Sequence, residues 1–437
     1  MPLFHDFPAL HPVLTGFCAL SLALIGLTLF VATIVLAFSH RYMRADPRRG
    51  AFFATVTALV ASVFAFVGTG NMVVFAGAWV FSGVALARLI GRSQHLSDAR
   101  QAMRRAHGAF ATGDAALLGA LAMLWWHAGS VRIDAALAAT ATMTAPQALL
   151  TALLLVTAAA ARSSLPPFSG WLLSSMTAPT PVSALMHAGL VNAGGFLLIR
   201  FAPVLEAAPA ARAAAMALGL FAALYGIGIM AVRPDIKRAL AGSTVSQMGF
   251  MVLSCGMGAY TAALWHILAH GLFKAWLFLG SGSAVGMRGK AGNPAHAPRR
   301  PIAIAAATLL CAIAAWAAGV LNADMVPLSL GLATAMATLG EALRAQGPAA
   351  SRSPLIPVIA GLTALYAGAL HITNAAMGPD APMLLPPSAL IALIAGFLGV
   401  WVWQQSRAAS ASSLPPALYV RLLNAGTFAM PAKGDAQ

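Results

Sequence analysis

The chain has 437 residues, of which 60% are apolar and only 8% charged, with a formal net charge of +15. A soluble domain is nearer half apolar and one quarter charged, so a soluble enzyme carrying a single anchor is excluded. At about 20 residues per span this apolar content supplies about a dozen membrane helices, which makes the chain an all-α polytopic membrane protein.

Thirteen apolar runs follow in order, at 14–38, 51–67, 71–90, 108–127, 146–163, 181–200, 211–232, 239–257, 259–285, 302–320, 326–343, 354–372 and 385–404. The first follows Met1–His11, which carries no Lys or Arg, and is too long for the core of a cleavable leader, so none is expected. The run at 326–343 is interrupted by Pro327 and Glu341. Between the fifth and sixth runs lies Ser163–Pro181, whose Pro166, Pro167, Pro179 and Pro181 forbid a clean spanning helix. Two readings fit it: broken backbone at membrane depth, as on transporter ion paths, or a cytoplasmic loop with an interfacial helix. The transmembrane bundle is expected over 1–404, and 405–437 form a tail. Within that tail, LPPALYVRLLNAGTF is amphipathic enough to lie at the membrane surface or against a partner.

The charges follow the alternation of spans. Of the 26 Lys and Arg residues, 22 fall on one side: in the loops 39–50, 88–108, 233–238, 286–301 and 344–353, at Arg162 and in the tail. Three, Arg132, Arg200 and Arg212, fall on the other, and Lys274 lies mid-span. This positive-inside split sets the N-terminus outside and the C-terminus in the cytoplasm. It also accounts for the basic charge with no nucleic-acid partner. Cys18, Cys255 and Cys311 stand far apart with no CxxC pair and read as small buried residues, so no metal or other cofactor is expected in this chain.

Ionisable groups inside spans are costly, about 2.5–3.5 kcal/mol each, and are functional by default. His266, His270 and Lys274 recur at i, i+4 and i+8 and fall on one helix stripe. A neutral imidazole accepts a proton on one nitrogen and donates from the other, so stacked imidazoles followed by a lysine make a proton relay. HxxxH also serves as a metal pair, but lysine is no ligand here and no carboxylate stands near in the sequence. His187 suits either a core histidine or a relay member. Asp114 and Arg162 suit either an interior ion pair or two groups at the interface. Ser243, Thr244, Ser246 and Gln247 line the first turns of the eighth span, to hold water or to bond back to the helix.

Three stretches, PTPVSALMHAG, DIKRALAGSTVSQMGFM and HILAHGLFKAWLFLGSGS, resemble the signature regions of the antiporter-like membrane subunits. That family includes subunit L of NADH–quinone oxidoreductase and the large Mrp antiporter subunit, and the resemblance covers roughly 71–290. Within it, HAGLVNAGGFLLIRFAP, the basic run before AFATGD and the LYVRLLNAG tail resemble the DabB-type subunits of inorganic-carbon accumulation complexes. The resemblance places Arg162 where the family has a lysine, His187 at the family's PTPVSA histidine, His266 and His270 at its paired helix histidines, Lys274 at the lysine one turn later, and Asp114 at its acidic residue after the basic loop. Val80 stands where the respiratory subunits carry a glutamate after tryptophan, and no Lys-Asp-Glu motif follows in the distal half.

What the resemblance implies is an antiporter-like bundle of about 13 helices in a bacterial inner membrane. It implies a proton- or Na+-conducting transport subunit, itself no enzyme, that energises CO2/bicarbonate uptake by a large cytoplasmic, zinc-containing, carbonic-anhydrase-like partner of the DabA type. Two alternatives stay open: a proton-pumping subunit of a respiratory or hydrogenase-type complex, and a non-conducting scaffold, which Val80 favours.

Overall fold

The computed structural model describes residues 19–281, 299–319, 321–327, 381–408 and 414–427, with positions 329, 361, 368, 372 and 373. They fall in two compact units. The first comprises Met1–Gly256, His266–Met287 and Ala417–Gln437; the second comprises Met257–Trp265 and Arg288–Pro416.

The first unit opens with α1 (Ala19–Tyr42), α2 (Arg49–Gly68), α3 (Met72–Ile90) and α4 (Ser97–Ala128). The short α5 (Ile133–Ala139) and then α6 (Ala145–Arg162) follow. Local chemistry fixes several of these boundaries. Asn71 caps α3 by accepting from the amides of Val73 at 2.8 Å and Val74 at 3.3 Å. Gly129 ends α4 at a φ of 63°, which favours a residue without Cβ. The Gln147 side chain accepts from the Thr144 amide at 3.0 Å and opens α6.

The helix α4 begins earlier than the sequence reading placed it. Residues 97–107, expected as loop, are its first turns, because Ala99, Ala102 and Ala106 are fully buried and continue the stripe into Phe110. Among the described residues, only 91–96 of the expected 88–108 loop lie between helices.

The proline-rich segment is mostly buried in the first unit. It folds into the single turn α7 (Gly170–Ser174) and a 3-10 turn, with Ser163, Ser164, Trp171, Leu172 and Ser175 buried. The Trp171 indole donates to the Ala161 carbonyl at 3.0 Å, so the irregular backbone is enclosed by protein.

The sixth run is broken in the middle. It forms α8 (Thr180–Ala188), a 3-10 turn over Leu190–Asn192 and α9 (Ala193–Arg200), all almost wholly buried. The break falls at Gly189, where a Cβ would lie 3.0 Å from the Leu185 carbonyl. After α10 (Ala202–Glu206) come α11 (Pro209–Val232), α12 (Ile236–Met257) and α13 (Tyr260–Gly280).

The antiparallel helices α11 and α12 meet along a seven-residue glycine register. A Cβ on Gly219 would lie 2.6 Å from the Gly249 carbonyl, one on Gly226 2.6 Å from the Gly242 carbonyl, and one on Gly256 2.9 Å from the Arg212 carbonyl. Backbones this close require glycine, and dispersion replaces side-chain interdigitation.

In the second unit α14 (Arg299–Ala317) packs on α15 (Pro387–Ala408), and the Trp265 indole donates to Thr373 at 2.8 Å. Among the described residues nine segments are long and apolar enough to cross a membrane. The expected eighth span is present as α12 but is more polar, and the tenth is the shorter apolar helix α14. Most of the spans expected at 326–343 and 354–372 lie outside the described residues.

Contacts at the two ends of the first unit follow the alternation of its helices. At one end Arg92 pairs with Asp46 at 2.9 Å, joining the loops after α1 and α3. At the other end Ile133 donates to Gly70 at 2.8 Å and Arg200 to the Thr69 carbonyl at 3.3 Å. The amphipathic tail is α16 (Pro416–Leu423), docked at the basic end. Arg105 donates to the carbonyls of Gly426 and Thr427, each at 3.0 Å, and Arg233 to that of Ala425, so two cations hold the turn that follows the helix.

Candidate functional site

Two polar groups are buried in the first unit. The first is built where α3, α4 and α6 meet. Arg162, the last residue of α6, folds its guanidinium back into the interior and is 2% exposed. It pairs with Asp114 at 3.0 Å and donates to Ser82 Oγ at 3.1 Å and to the Trp79 carbonyl at 3.0 Å. Its carbon lies 4.5 Å from the Trp79 ring centre and 4.9 Å from that of Phe110. A Cβ at Gly83 would lie 3.0 Å from the guanidinium, so the glycine makes the room. Of the two arrangements the sequence left open for Asp114 and Arg162, the interior ion pair is the one present. Val80 takes no part in it.

The second group lies on α8, α12 and α13. Gly271 lets α13 approach until a Cβ there would be 2.8 Å from the Ala188 carbonyl. That contact carries the α13 stripe onto His187. The rings of His266 and His270 stack with centres 5.9 Å apart, tilted by 15°. His187 stacks on Phe278 at 4.1 Å and 16°. Its Nδ1 lies 3.0 Å from Thr244 Oγ1. Lys274, 1% exposed, donates to Ser243 Oγ at 2.8 Å and to the Leu240 carbonyl at 3.1 Å. The Nε2 atoms of His187, His266 and His270 are all buried without a partner. His270 is within electrostatic reach of His187, His266 and Lys274.

Five of the six residues singled out from the sequence are buried and His266 is half-buried, and they fall in two separate constellations. Ser82, Trp79 and the Leu240 carbonyl were not anticipated, since nothing in their spacing marks them. Phe278 continues the i, i+4 series of His266, His270 and Lys274 by one turn, and that signal was available. At the Gly189 break sits an apolar cavity of about 40 Å³, lined by Gly189 and by residues including Leu27, Leu59, Phe66 and Phe196.

A family model for the membrane region of NADH:quinone oxidoreductase/Mrp antiporter proteins matches residues 69–347. The chain is 39% identical over 289 residues to the probable inorganic carbon transporter subunit DabB1 of Halothiobacillus neapolitanus, covering 64% of this chain and 50% of that protein. It is 38% identical over 271 residues to NADH-quinone oxidoreductase subunit L of Mycobacterium tuberculosis, covering 61% and 42%. The chain thus spans about half the length of these curated relatives. In fold it is similar to a chain of the Mrp complex from Dietzia sp. DQ12-45-1b, with a TM-score of 0.59 and 24% identity over 93% of this chain and 48% of that one. On the match over 69–347, this chain belongs to the NADH:quinone oxidoreductase/Mrp antiporter transmembrane family.

Proposed function

We propose that this chain conducts protons, or Na+, inward as the membrane subunit of an inorganic-carbon uptake system, and so energises a cytoplasmic carbonic-anhydrase-like zinc partner. The likeness to DabB1 supports the substrate class. The observation that carries conduction is the series of three imidazoles, each with a buried and unpartnered Nε2, beside the buried Lys274. Each open Nε2 accepts a proton while the ring's other nitrogen donates one, and the Lys274 ammonium holds a proton among Ser243 and Leu240. The Arg162–Asp114 pair is a fixed ion pair that ties α4 to α6. The partner docks at the basic end, over the loops joined by Asp46 and Arg92 and the tail helix α16. Hydration of CO2 is the partner's chemistry.

The test is proton flux in liposomes and growth in air. Lys274→Ala should abolish both while the chain still co-purifies with its partner. Wild-type growth of that variant overturns the relay. A reporter after Gln437 should read as cytoplasmic, and the opposite reading overturns the orientation. The likeness to subunit L favours a second reading, a subunit of a respiratory proton pump. Co-purification with quinone-reductase subunits, in place of one large zinc protein, would establish that reading.

A further inference from the structure

We propose that Thr244 is the positioning residue that fixes the ring tautomer of His187, with the proton on Nδ1 and the lone pair on Nε2, and that it ties this tautomer to Lys274 through the Leu240 carbonyl. The inference rests on the relay reading above.

A threonine hydroxyl has one proton to give and two lone pairs to offer. Thr244 Oγ1 lies 3.0 Å from the Leu240 carbonyl, which can only accept, so the hydroxyl proton is committed there. The contact between the same oxygen and His187 Nδ1, also 3.0 Å, must then be filled by a proton from the ring. A neutral imidazole carries one N–H, so Nε2 keeps the lone pair. That nitrogen is buried and has no partner, as an acceptor held open would be. Phe278, stacked 4.1 Å from the ring at 16°, holds its plane.

The second half of the inference is the shared acceptor. Lys274 Nζ lies 3.1 Å from the same Leu240 oxygen. Two side-chain donors thus converge on one carbonyl, and the charge of Lys274 sets how strongly that oxygen holds the Thr244 hydroxyl. Loss of the Lys274 charge leaves a neutral amine whose N–H is a weaker donor to that oxygen, so the Thr244 hydroxyl is held there more firmly and His187 keeps Nε2 ready to accept. The titratable groups facing His187 are Lys274 and His270, both on α13, so any titration of the ring is read against those two. The sequence showed Thr244 as one polar residue among four near the start of a helix. Only the register of α12 against α8 selects it.

The experiment uses the full chain labelled with 15N-histidine in lipid bilayers, with His187→Gln identifying the resonances of that ring. The wild type should show His187 protonated on Nδ1. Thr244→Val, which keeps the shape and removes the hydroxyl, should shift the ring toward the Nε2–H form. It should also lower proton flux in liposomes by roughly tenfold or more, the scale on which a wrong tautomer penalises a proton-transferring histidine. Thr244→Ser should restore both readings, which a purely steric role would not predict. A wild-type His187 protonated on Nε2, or a Thr244→Val chain with unchanged tautomer and flux, overturns the proposal. Absence of flux in the wild type would defeat the relay reading alone, because the tautomer measurement still decides the role of Thr244.

Discussion

At Arg162 both terminal nitrogens of the guanidinium are bonded and two aromatic rings lie against it. At His187, His266 and His270 one ring nitrogen each is buried and left without a partner. The difference lies in the chemistry of the side chains. A guanidinium keeps its proton under all ordinary conditions, so a saturated arginine is a fixed charge. An imidazole with one nitrogen tied and one open is built to exchange. Both constellations are polar and buried, but the first resists change and the second permits it.

The comparison breaks most severely at Asp114. Replacing it with Leu leaves the Arg162 cation buried without its counter-ion, which costs about 3–5 kcal/mol. Folded yield and thermal midpoint in detergent should fall steeply. Removing both charges, as Asp114→Leu with Arg162→Met, should recover most of that loss, because a buried pair is often neutral when replaced whole. If the pair is purely structural, the double variant also regains proton flux. Recovery of stability without flux would move Arg162 and Asp114 into the pathway.

A smaller effect is expected at the glycine seam, which positions α12 and with it Ser243 and Thr244. A Cβ at Gly249 would lie 2.5 Å from the Ala223 amide, so Gly249→Ala must push α11 and α12 apart. Overpacking of this kind costs about 1–3 kcal/mol. Gly77 in α3 has open space where its Cβ would stand, and Gly77→Ala should stabilise by roughly 0.5–1 kcal/mol. Thermal unfolding of the two variants checks the sign. Flux should fall in Gly249→Ala and hold in Gly77→Ala, because only the former displaces the hydroxyls facing Lys274 and His187.

These residues also show how far the sequence carried the argument. His266, His270 and Lys274 were legible because helical periodicity alone puts i, i+4 and i+8 on one stripe. The basic end was legible because charge follows the alternation of spans. The α11–α12 seam was in principle legible from glycines seven apart in two neighbouring runs. The break at Gly189 was not, since Gly189 sits in an apolar run with nothing to mark it as a hinge between α8 and α9. Nor was the partnering of Arg162, because Ser82 and Trp79 reach it only through the packing of α3 on α4 and of α4 on α6. Tertiary contacts of this kind leave no local period to read.

The mildest test sets a second Asp–Arg pair against the buried one. Asp46 and Arg92 lie 2.9 Å apart, with side chains 26% and 11% exposed, in the loops at the basic end. Burial pushes the Asp46 carboxyl up slightly, but hydrogen bonds from the Arg48 amide and the Arg92 guanidinium outweigh it and hold the group below the usual carboxylate value of 3.8. A carboxyl depressed in the folded state stabilises above its unfolded value and loses that contribution as pH falls through its folded value. The stabilisation should therefore be complete at neutral pH and vanish only below about pH 4, in the acid window set by the ordinary aspartate value. Pairs this close to solvent contribute under about 1 kcal/mol and are screened by salt. Asp46→Asn should lower the thermal midpoint slightly at pH 7, less at high salt, and leave proton flux unchanged. A loss as large as that of Asp114→Leu would show that the loop clamp, although near solvent, holds the first unit together as strongly as the buried pair does.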